Sequence, residues 1–189
     1  MEKRLFLTGP SGFGKSTAIL QALGDELSLA GGFRTVRQYD ETGRGVSYTL
    51  QAPGASQGEV FLDYSDRPYK VNLEVFSGLG VQLLQDSHNA PFLVLDEIGG
   101  IELLKEDFVQ ALEEILHSGI PCIGVMKGEG LASKLIQKLG GEHDFYEAAG
   151  RLRSWMRKDP DTLLLECGEF DPHAQQIAMQ WVSEYVKRP

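Results

Sequence analysis

The sequence has little cysteine and no long apolar run. Its 189 residues include two cysteines, Cys122 and Cys167, which are far apart and have no histidine nearby at metal-ligand spacing. We expect both to pack as small apolar side chains, a usage that fits a reducing cytoplasm. Residues 5–7 are too few for the core of a signal peptide, and no apolar run is long enough to span a membrane. The sequence therefore predicts a cytoplasmic protein that does not enter a membrane.

Basic residues are also scarce relative to acidic ones. There are 18 lysines and arginines against 27 aspartates and glutamates, a formal net charge of −9 at pH 7. A surface of this charge repels polyanions, so we do not expect nucleic acid as a partner, and the sequence does not indicate any protein partner. The composition is 42% hydrophobic and 24% charged, as in ordinary globular proteins, and the length suits a single domain over residues 1–189.

Strand-like and helix-like segments alternate along the chain. The predicted strands lie at residues 5–8, 36–39, 46–50, 60–62, 92–95, 120–126 and 163–165. Apolar residues at helical spacing predict helices over 15–30, after Asn72, over 108–116, over most of 131–158 and from Pro172, with Asp171 as N-cap. This alternation predicts an α/β fold with a mostly parallel sheet flanked by helices, to which the turn-rich segment between residues 36 and 62 adds a β-hairpin.

A glycine-rich segment follows the first predicted strand. It reads Gly9-Pro10-Ser11-Gly12-Phe13-Gly14-Lys15-Ser16, with two glycines at the spacing of a phosphate-binding loop, then lysine and serine. Glycines allow the backbone to curl so that its N–H groups point at phosphate oxygens, and the next helix directs its positive end there. In such loops the lysine contacts the β- and γ-phosphates and the serine hydroxyl ligates Mg²⁺. The segment therefore predicts a nucleotide site with Mg²⁺ as cofactor.

Two acidic residues, Asp96 and Glu97, end the apolar strand at residues 92–95. In P-loop enzymes an aspartate in this place holds Mg²⁺ opposite the serine, which predicts Ser16 and Asp96 as the metal-binding side chains. The adjacent Glu97 can orient and deprotonate a water molecule. The pair therefore favours water as the acceptor of the transferred phosphoryl group.

Phosphoryl transfer needs more positive charge around the γ-phosphate than one lysine and one metal ion supply. The sequence offers four arginines for this purpose, Arg44, Arg151, Arg153 and Arg157. We take Arg44, in a glycine-rich turn, as the predicted catalytic arginine beside Lys15 and Glu97. The other three lie together in a predicted helix.

At these motifs the sequence resembles the small P-loop nucleoside-triphosphatases of the thermophile type, whose animal members are called cancer-related nucleoside-triphosphatases. The matching landmarks are residues 9–17, Gly32-Phe33, Arg44-Gly45, Tyr69-Lys70-Val71-Asn72 with Phe76, and most specifically Val94-Leu95-Asp96-Glu97-Ile98-Gly99-Gly100-Ile101-Glu102. The resemblance covers residues 3–126. It implies a RecA-like central sheet and slow, Mg²⁺-dependent hydrolysis of several nucleoside triphosphates. It also implies phosphate and magnesium contacts for Lys15, Ser16 and Thr17, metal binding for Asp96 and water activation for Glu97.

The main hypothesis is thus a nucleoside triphosphatase that splits the β–γ bond of ATP, GTP and other nucleoside triphosphates. A nucleoside or nucleotide kinase is the first alternative, because Arg151, Arg153 and Arg157 lie where such kinases often carry an arginine-bearing lid. The second alternative is a nucleotide-dependent switch or assembly module whose hydrolysis resets a partner interaction.

Overall fold

The computed structural model describes residues 1–128, 144–169 and 171–187. The strands within these ranges are β1 (Arg4–Thr8), β2 (Gly31–Tyr39), β3 (Gly45–Gln51), β4 (Glu59–Asp63), β5 (Lys70–Val71), β6 (Leu93–Ile98), β7 (Cys122–Met126) and β8 (Thr162–Glu166). They form one sheet in the order β5-β4-β3-β2-β6-β7-β1-β8. Strands β2, β6, β7, β1 and β8 run parallel, and β3, β4 and β5 are antiparallel. The predicted mostly parallel α/β sheet is therefore confirmed.

The helices in the described ranges are α1 (Lys15–Leu23), α2 (Val81–Asp86), α3 (Glu106–His117), α4 (Asp144–Lys158) and α5 (Pro172–Tyr185). A π-helical turn, Phe76–Gly80, leads into α2, and short 3₁₀ turns occupy Gly24–Leu29, Ser87–Asn89 and Ile101–Leu104. The predicted N-cap is confirmed, since the Asp171 carboxylate accepts a hydrogen bond from the His173 N–H at 2.9 Å. Part of the helix predicted over 131–158 falls on residues 129–143, outside the described residues.

The prediction of one helix over residues 15–30 is wrong. The α-helix ends at Leu23, because Gly24 has a positive φ of 55°, and a 3₁₀ turn follows. Gly31 and Gly32, which directly follow the predicted helix, instead begin β2 and pair with Leu93 and Val94 of β6. Glycine has low intrinsic preference for strands, so the sequence placed the start of β2 five residues too late.

The predicted β-hairpin is present as β2 and β3, but it is part of a larger structure. Strand β3 also pairs with β4, and β4 pairs with β5, so three antiparallel strands extend the parallel sheet. Only the first few residues of β2 pair with β6, from Gly31 to Phe33. The rest of β2 continues past the carboxyl end of β6, and the antiparallel strands pair with this part of β2. The added strands therefore lie beside the carboxyl edge of the parallel strands.

Two apolar layers cover the two faces of the sheet. Alternating strand residues divide between them, with Leu5, Leu7, Val94, Ile123 and Val125 in one layer and Phe6, Leu93, Leu95, Cys122 and Met126 in the other. The first layer packs against α1 and α5, and the second packs against α2, α3 and α4. Both cysteines are free and buried, as predicted. No helix in the described part of the chain is long and apolar enough to cross a membrane.

A buried arginine ties the start of β1 to the segment before β8. The Arg4 guanidinium is 2.6 Å from Asp159, lies within hydrogen-bond distance of Thr162, and donates to the Leu116 carbonyl at 3.2 Å. The Arg4 side chain is 7% exposed and that of Asp159 is 15% exposed. Removing one member of such a pair leaves the other charge poorly solvated.

We predict that Arg4→Ala lowers the free energy of unfolding by about 3 kcal/mol, because it leaves Asp159 and the Leu116 carbonyl without their partner. Urea denaturation measures this value. The matched control is Arg151→Ala, which removes an exposed ion pair with Glu147 at 3.6 Å and should cost about 0.5 kcal/mol or less. Equal losses from the two substitutions would contradict a structural role for Arg4.

Candidate nucleotide-binding site

The loop between β1 and α1 is shaped by glycines in the left-handed half of backbone space. Gly9, Gly12 and Gly14 have φ values of 126°, 84° and 80°. Residues with side chains adopt these conformations at a cost, which explains the loop's glycine spacing. Gly14 is the N-cap residue of α1, and no side chain caps that helix end. The free N–H groups of the first turn are thus open to an anion.

Gly9 is needed for a second reason, which is close packing against the end of β8. A Cβ atom built on Gly9 would lie 2.5 Å from the carbonyl oxygen of Cys167. The Cys167 N–H in turn donates to the Thr8 carbonyl at 2.8 Å. The base of the loop therefore rests on backbone that cannot easily move. Gly12, by contrast, has open space around its Cβ position.

Lys15, the loop lysine, is 8% exposed. Its ammonium donates to the carbonyls of Gly9 and Pro10 at 3.1 and 2.5 Å. Burial lowers the pKa of this amine from its ordinary value. The ammonium is thus held by two carbonyls of the loop, and a phosphate bound there would take over these hydrogen bonds.

A hydrogen bond joins the loop helix to the end of β6. The Ser16 hydroxyl donates to the Asp96 carboxylate at 2.7 Å, although the two residues are 80 positions apart. Asp96 is 5% exposed. Burial, to which the nearby Glu97 carboxylate adds, raises the pKa of Asp96 to about 7. A buried carboxylate facing a hydroxyl offers two hard oxygen ligands, and a bound divalent cation would favour its ionised form.

Glu97 breaks the regular alternation of β6. Its φ is +66°, which makes it the one residue other than glycine with positive φ in the described ranges. The pairing of β6 with β7 shifts register between Leu95 and Ile98, and these two residues pack in the same apolar layer. Strict alternation would put them on opposite faces. This bulge redirects Glu97, and strained backbone of this kind is concentrated at functional sites.

Glu97 and Lys15 line one cavity of about 210 Å³ at the carboxyl edge of the sheet. Its other lining residues are Gly9, Ser11, Thr35, Tyr48, Phe61, Leu62, Gly100, Ile101, Val125 and Lys127. The antiparallel extension supplies the aromatic side, in which the rings of Tyr48 and Phe61 stack with centroids 6.2 Å apart. Burial, together with the charge of Glu97, raises the pKa of Tyr48. The cavity therefore joins the loop, the acidic pair and an apolar wall.

None of the four candidate arginines is among the described residues that line this cavity. Arg44 is exposed at the tip between β2 and β3, where its guanidinium donates to the Ser65 carbonyl at 3.1 Å. Its catalytic role stays a prediction. Arg151 and Arg157 are exposed on α4. Arg153 is buried and donates to the Thr8 hydroxyl at 3.3 Å and to the Lys127 carbonyl.

Sequence reasoning missed two residues at this site. Lys127 lines the cavity directly after β7, and the buried Glu102 accepts hydrogen bonds from the Gly99 and Gly100 N–H groups at 2.5 and 2.7 Å. Glu102 was noted only as the end of the most specific matching segment. The available signal for Lys127 was its place after a strand that is apolar throughout, next to a glycine.

The loop after β1 and the acidic pair after β6, on a mostly parallel sheet, define a P-loop nucleotide-binding fold. The family model described as "NTPase" matches residues 4–149. The chain therefore belongs to this NTPase family, which includes the nucleoside-triphosphatases of the THEP1 and cancer-related kinds.

Individual relatives agree with the family match. The mouse protein named cancer-related nucleoside-triphosphatase homolog is 29% identical over 167 residues, which cover 76% of this chain and 86% of the relative. Nucleoside-triphosphatase THEP1 of Methanosarcina barkeri is 28% identical over 158 residues, covering 75% and 85%. The solution structure of a human cancer-related nucleoside triphosphatase matches with a TM-score of 0.66 at 21% identity, over 98% of this chain and 99% of that one. This structural likeness supports the fold.

The two loop glycines give a paired test of the loop geometry. We predict that Gly9→Ala lowers the free energy of unfolding by about 3 kcal/mol, because it adds a backbone clash to a strained φ. Gly12→Ala should lower the free energy of unfolding by about 1 kcal/mol, since it introduces the strain of a positive φ without a clash. Urea denaturation of both variants measures the difference. Losses of the same size would show that the carbonyl of Cys167 does not restrict Gly9.

Proposed function

We propose that this protein is a Mg²⁺-dependent nucleoside triphosphatase that cleaves the β–γ bond of ATP, GTP and other nucleoside triphosphates to a diphosphate and phosphate. The observation that carries the proposal is the shared cavity of Lys15 and Glu97, beside the Ser16–Asp96 pair. The names of the relatives, which are nucleoside-triphosphatases, agree with it. The sequence has no Asn/Thr-Lys-x-Asp segment for reading guanine, which favours hydrolysis of several nucleotides.

The residues present fit a magnesium ion. Ser16 and Asp96 would hold it, since Mg²⁺ prefers oxygen ligands and is commonly bound by one or two side chains together with substrate phosphates. Burial and the neighbouring Glu97 carboxylate raise the pKa of Asp96, and a bound divalent cation would stabilise its ionised form. When bound, the ion would neutralise charge on the β- and γ-phosphate oxygens.

The phosphates would bind along the loop from Gly9 to Thr17, where backbone N–H groups can donate to their oxygens. Pro10 is the exception, because proline has no N–H group. Lys15 would leave its carbonyl partners and contact the β- and γ-phosphates. The amides of Ser11, Gly12, Phe13 and Gly14 belong to the same loop and complete the predicted set of binding residues. Thr17, which is exposed in the first turn of α1, would be the last residue of this set.

Glu97 would act as the general base. In the reacting complex its carboxylate accepts a proton from a water molecule while the water oxygen bonds to the γ-phosphorus. The bond from that phosphorus to the β–γ bridging oxygen breaks, and the electron pair leaves with the nucleoside diphosphate. Tyr48, Phe61 and Ile101 form an apolar part of the cavity wall, which would strengthen the charged interactions within it.

The kinase alternative loses part of its support. It rested on three arginines of a movable lid, whereas Arg153 is buried against Thr8 and Lys127, and Met156 of the same helix is fully buried in the apolar layer. No comparison favours a kinase or a switch module. A cytoplasmic location and the lack of a nucleic-acid partner remain predictions from cysteine usage and net charge.

Substitutions at the acidic pair test the proposed chemistry. We predict that Glu97→Gln lowers single-turnover phosphate release by about 10²- to 10⁴-fold, because it keeps the size of the side chain and removes the proton acceptor. Affinity for the Mg²⁺-triphosphate should stay near that of the wild type. Asp96→Asn should instead weaken the Mg²⁺ dependence of both binding and turnover.

The matched control is Glu59→Gln, an exposed position at the start of β4 outside the cavity lining. It should leave both binding and turnover unchanged. Wild-type phosphate release by Glu97→Gln, with bound nucleotide confirmed, would rule out Glu97 as the base.

A further inference from the structure

Lys127 occupies the gap between the loop and the acidic pair. It follows β7, which lies between β1 and β6 in the sheet, so its carboxyl end opens between those of the two strands that carry the site. The Lys127 N–H donates to the Ile98 carbonyl at 2.8 Å, and a Cβ on the next residue, Gly128, would lie 2.8 Å from the Gly9 carbonyl. The backbone at Lys127 thus contacts both sides, and its side chain lines the same cavity as Lys15 and Glu97.

The Glu102 carboxylate lies beside the Lys127 ammonium. One oxygen of this carboxylate, which is 4% exposed, accepts from the Gly99 and Gly100 amides, and the other lies 3.9 Å from the Lys127 Nζ atom. Within residues 1–128, 144–169 and 171–187, the ammonium has this long ion pair and no hydrogen bond. An ammonium has three donors, so it remains able to bind an anion in the cavity.

The reaction calls for a cation in this place. Charge in the transition state of phosphoryl transfer spreads over three γ-phosphoryl oxygens, and Lys15 together with a metal ion held by Ser16 and Asp96 would neutralise only part of it. Among the described residues, Lys15 and Lys127 are the two basic side chains that line the cavity. Arg44 lies at the hairpin tip and Arg153 is engaged with Thr8.

Building on the proposed function, we propose that Lys127 is a further catalytic residue, whose ammonium donates to a γ-phosphoryl oxygen as negative charge develops there. The Glu102 carboxylate holds the turn at Gly99 and Gly100 through two hydrogen bonds and balances part of the ammonium's charge from 3.9 Å.

Gly100 provides an independent way to displace this ammonium without removing its charge. A Cβ on Gly100 would lie 2.5 Å from the Lys127 Nζ atom and 2.9 Å from a Glu102 oxygen. Both are ends of flexible side chains, so the fold can accommodate alanine while the ammonium moves away. Gly100→Ala therefore tests its position, and Lys127→Met tests its charge.

We expect Lys127→Met to lower single-turnover hydrolysis by about 10²- to 10³-fold, the effect of losing one donor to developing charge. Affinity for ADP should stay within about twofold of the wild type, because ADP lacks the γ-phosphoryl group. Lys127→Arg should recover at least tenfold of the lost rate, and Gly100→Ala should lose about tenfold. The matched control is Lys105→Met, which removes a surface ion pair with Glu74 and should leave the rate unchanged.

The outcomes separate this inference from the proposed function. The role of Lys127 is overturned if Lys127→Met loses ADP affinity and hydrolysis equally, or if Lys127→Met or Gly100→Ala hydrolyses at the wild-type rate. In each of these cases hydrolysis by the wild-type protein still supports the proposed function. No phosphate release from any nucleoside triphosphate by the wild-type protein with Mg²⁺ overturns both. If Lys127→Met fails to fold, the hydrolysis rates of Lys127→Arg and Gly100→Ala test the role of Lys127, because both variants keep the positive charge.

Discussion

The hydrogen bond from the Ser16 hydroxyl to the Asp96 carboxylate connects the two halves of the site. It bridges α1, which follows β1, and the end of β6, although β7 separates these strands in the sheet. Both groups are held by packing, since Ile19 of α1 and Val94 of β6 belong to the same apolar layer. The close approach of the two oxygens therefore depends on the register of three parallel strands and on the helix that covers them.

The consequences of this contact extend to the rest of the cavity. Because Asp96 is buried beside Ser16, the backbone must bulge to present the next residue, Glu97, to the cavity, and the positive φ of Glu97 is the cost of that turn. The antiparallel extension then closes the open side of the cavity with Tyr48 and Phe61. The polar groups of the site thus lie in a cleft with an apolar wall, where charge interactions are stronger than in water.

How much of this could be predicted from sequence depends on whether the determinants are local. The loop from Gly9 to Ser16 and the apolar strand that leads into Asp96 could be recognised because their geometry is encoded by neighbouring residues, glycines in the first case and an apolar run in the second. The boundary between α1 and β2 was missed, since Gly31 serves there as a strand residue. Lys127 was missed because its local signal, a lysine between an apolar strand and a glycine, does not by itself indicate a site. Its place depends on β7 lying between β1 and β6, which is a property of the whole sheet.

The most direct test of the central claim is to locate the metal ion in a crystal of the protein with Mn²⁺ and a non-hydrolysable triphosphate, by anomalous scattering. We expect an ion between the Ser16 hydroxyl and the Asp96 carboxylate, about 2.1 Å from the hydroxyl oxygen. We also expect the Glu97 carboxylate within about 3.2 Å of a water molecule that lies in line with the bond from the γ-phosphorus to the bridging oxygen. An ion bound away from both Ser16 and Asp96, or a Glu97 carboxylate turned out of the cavity, would contradict these roles.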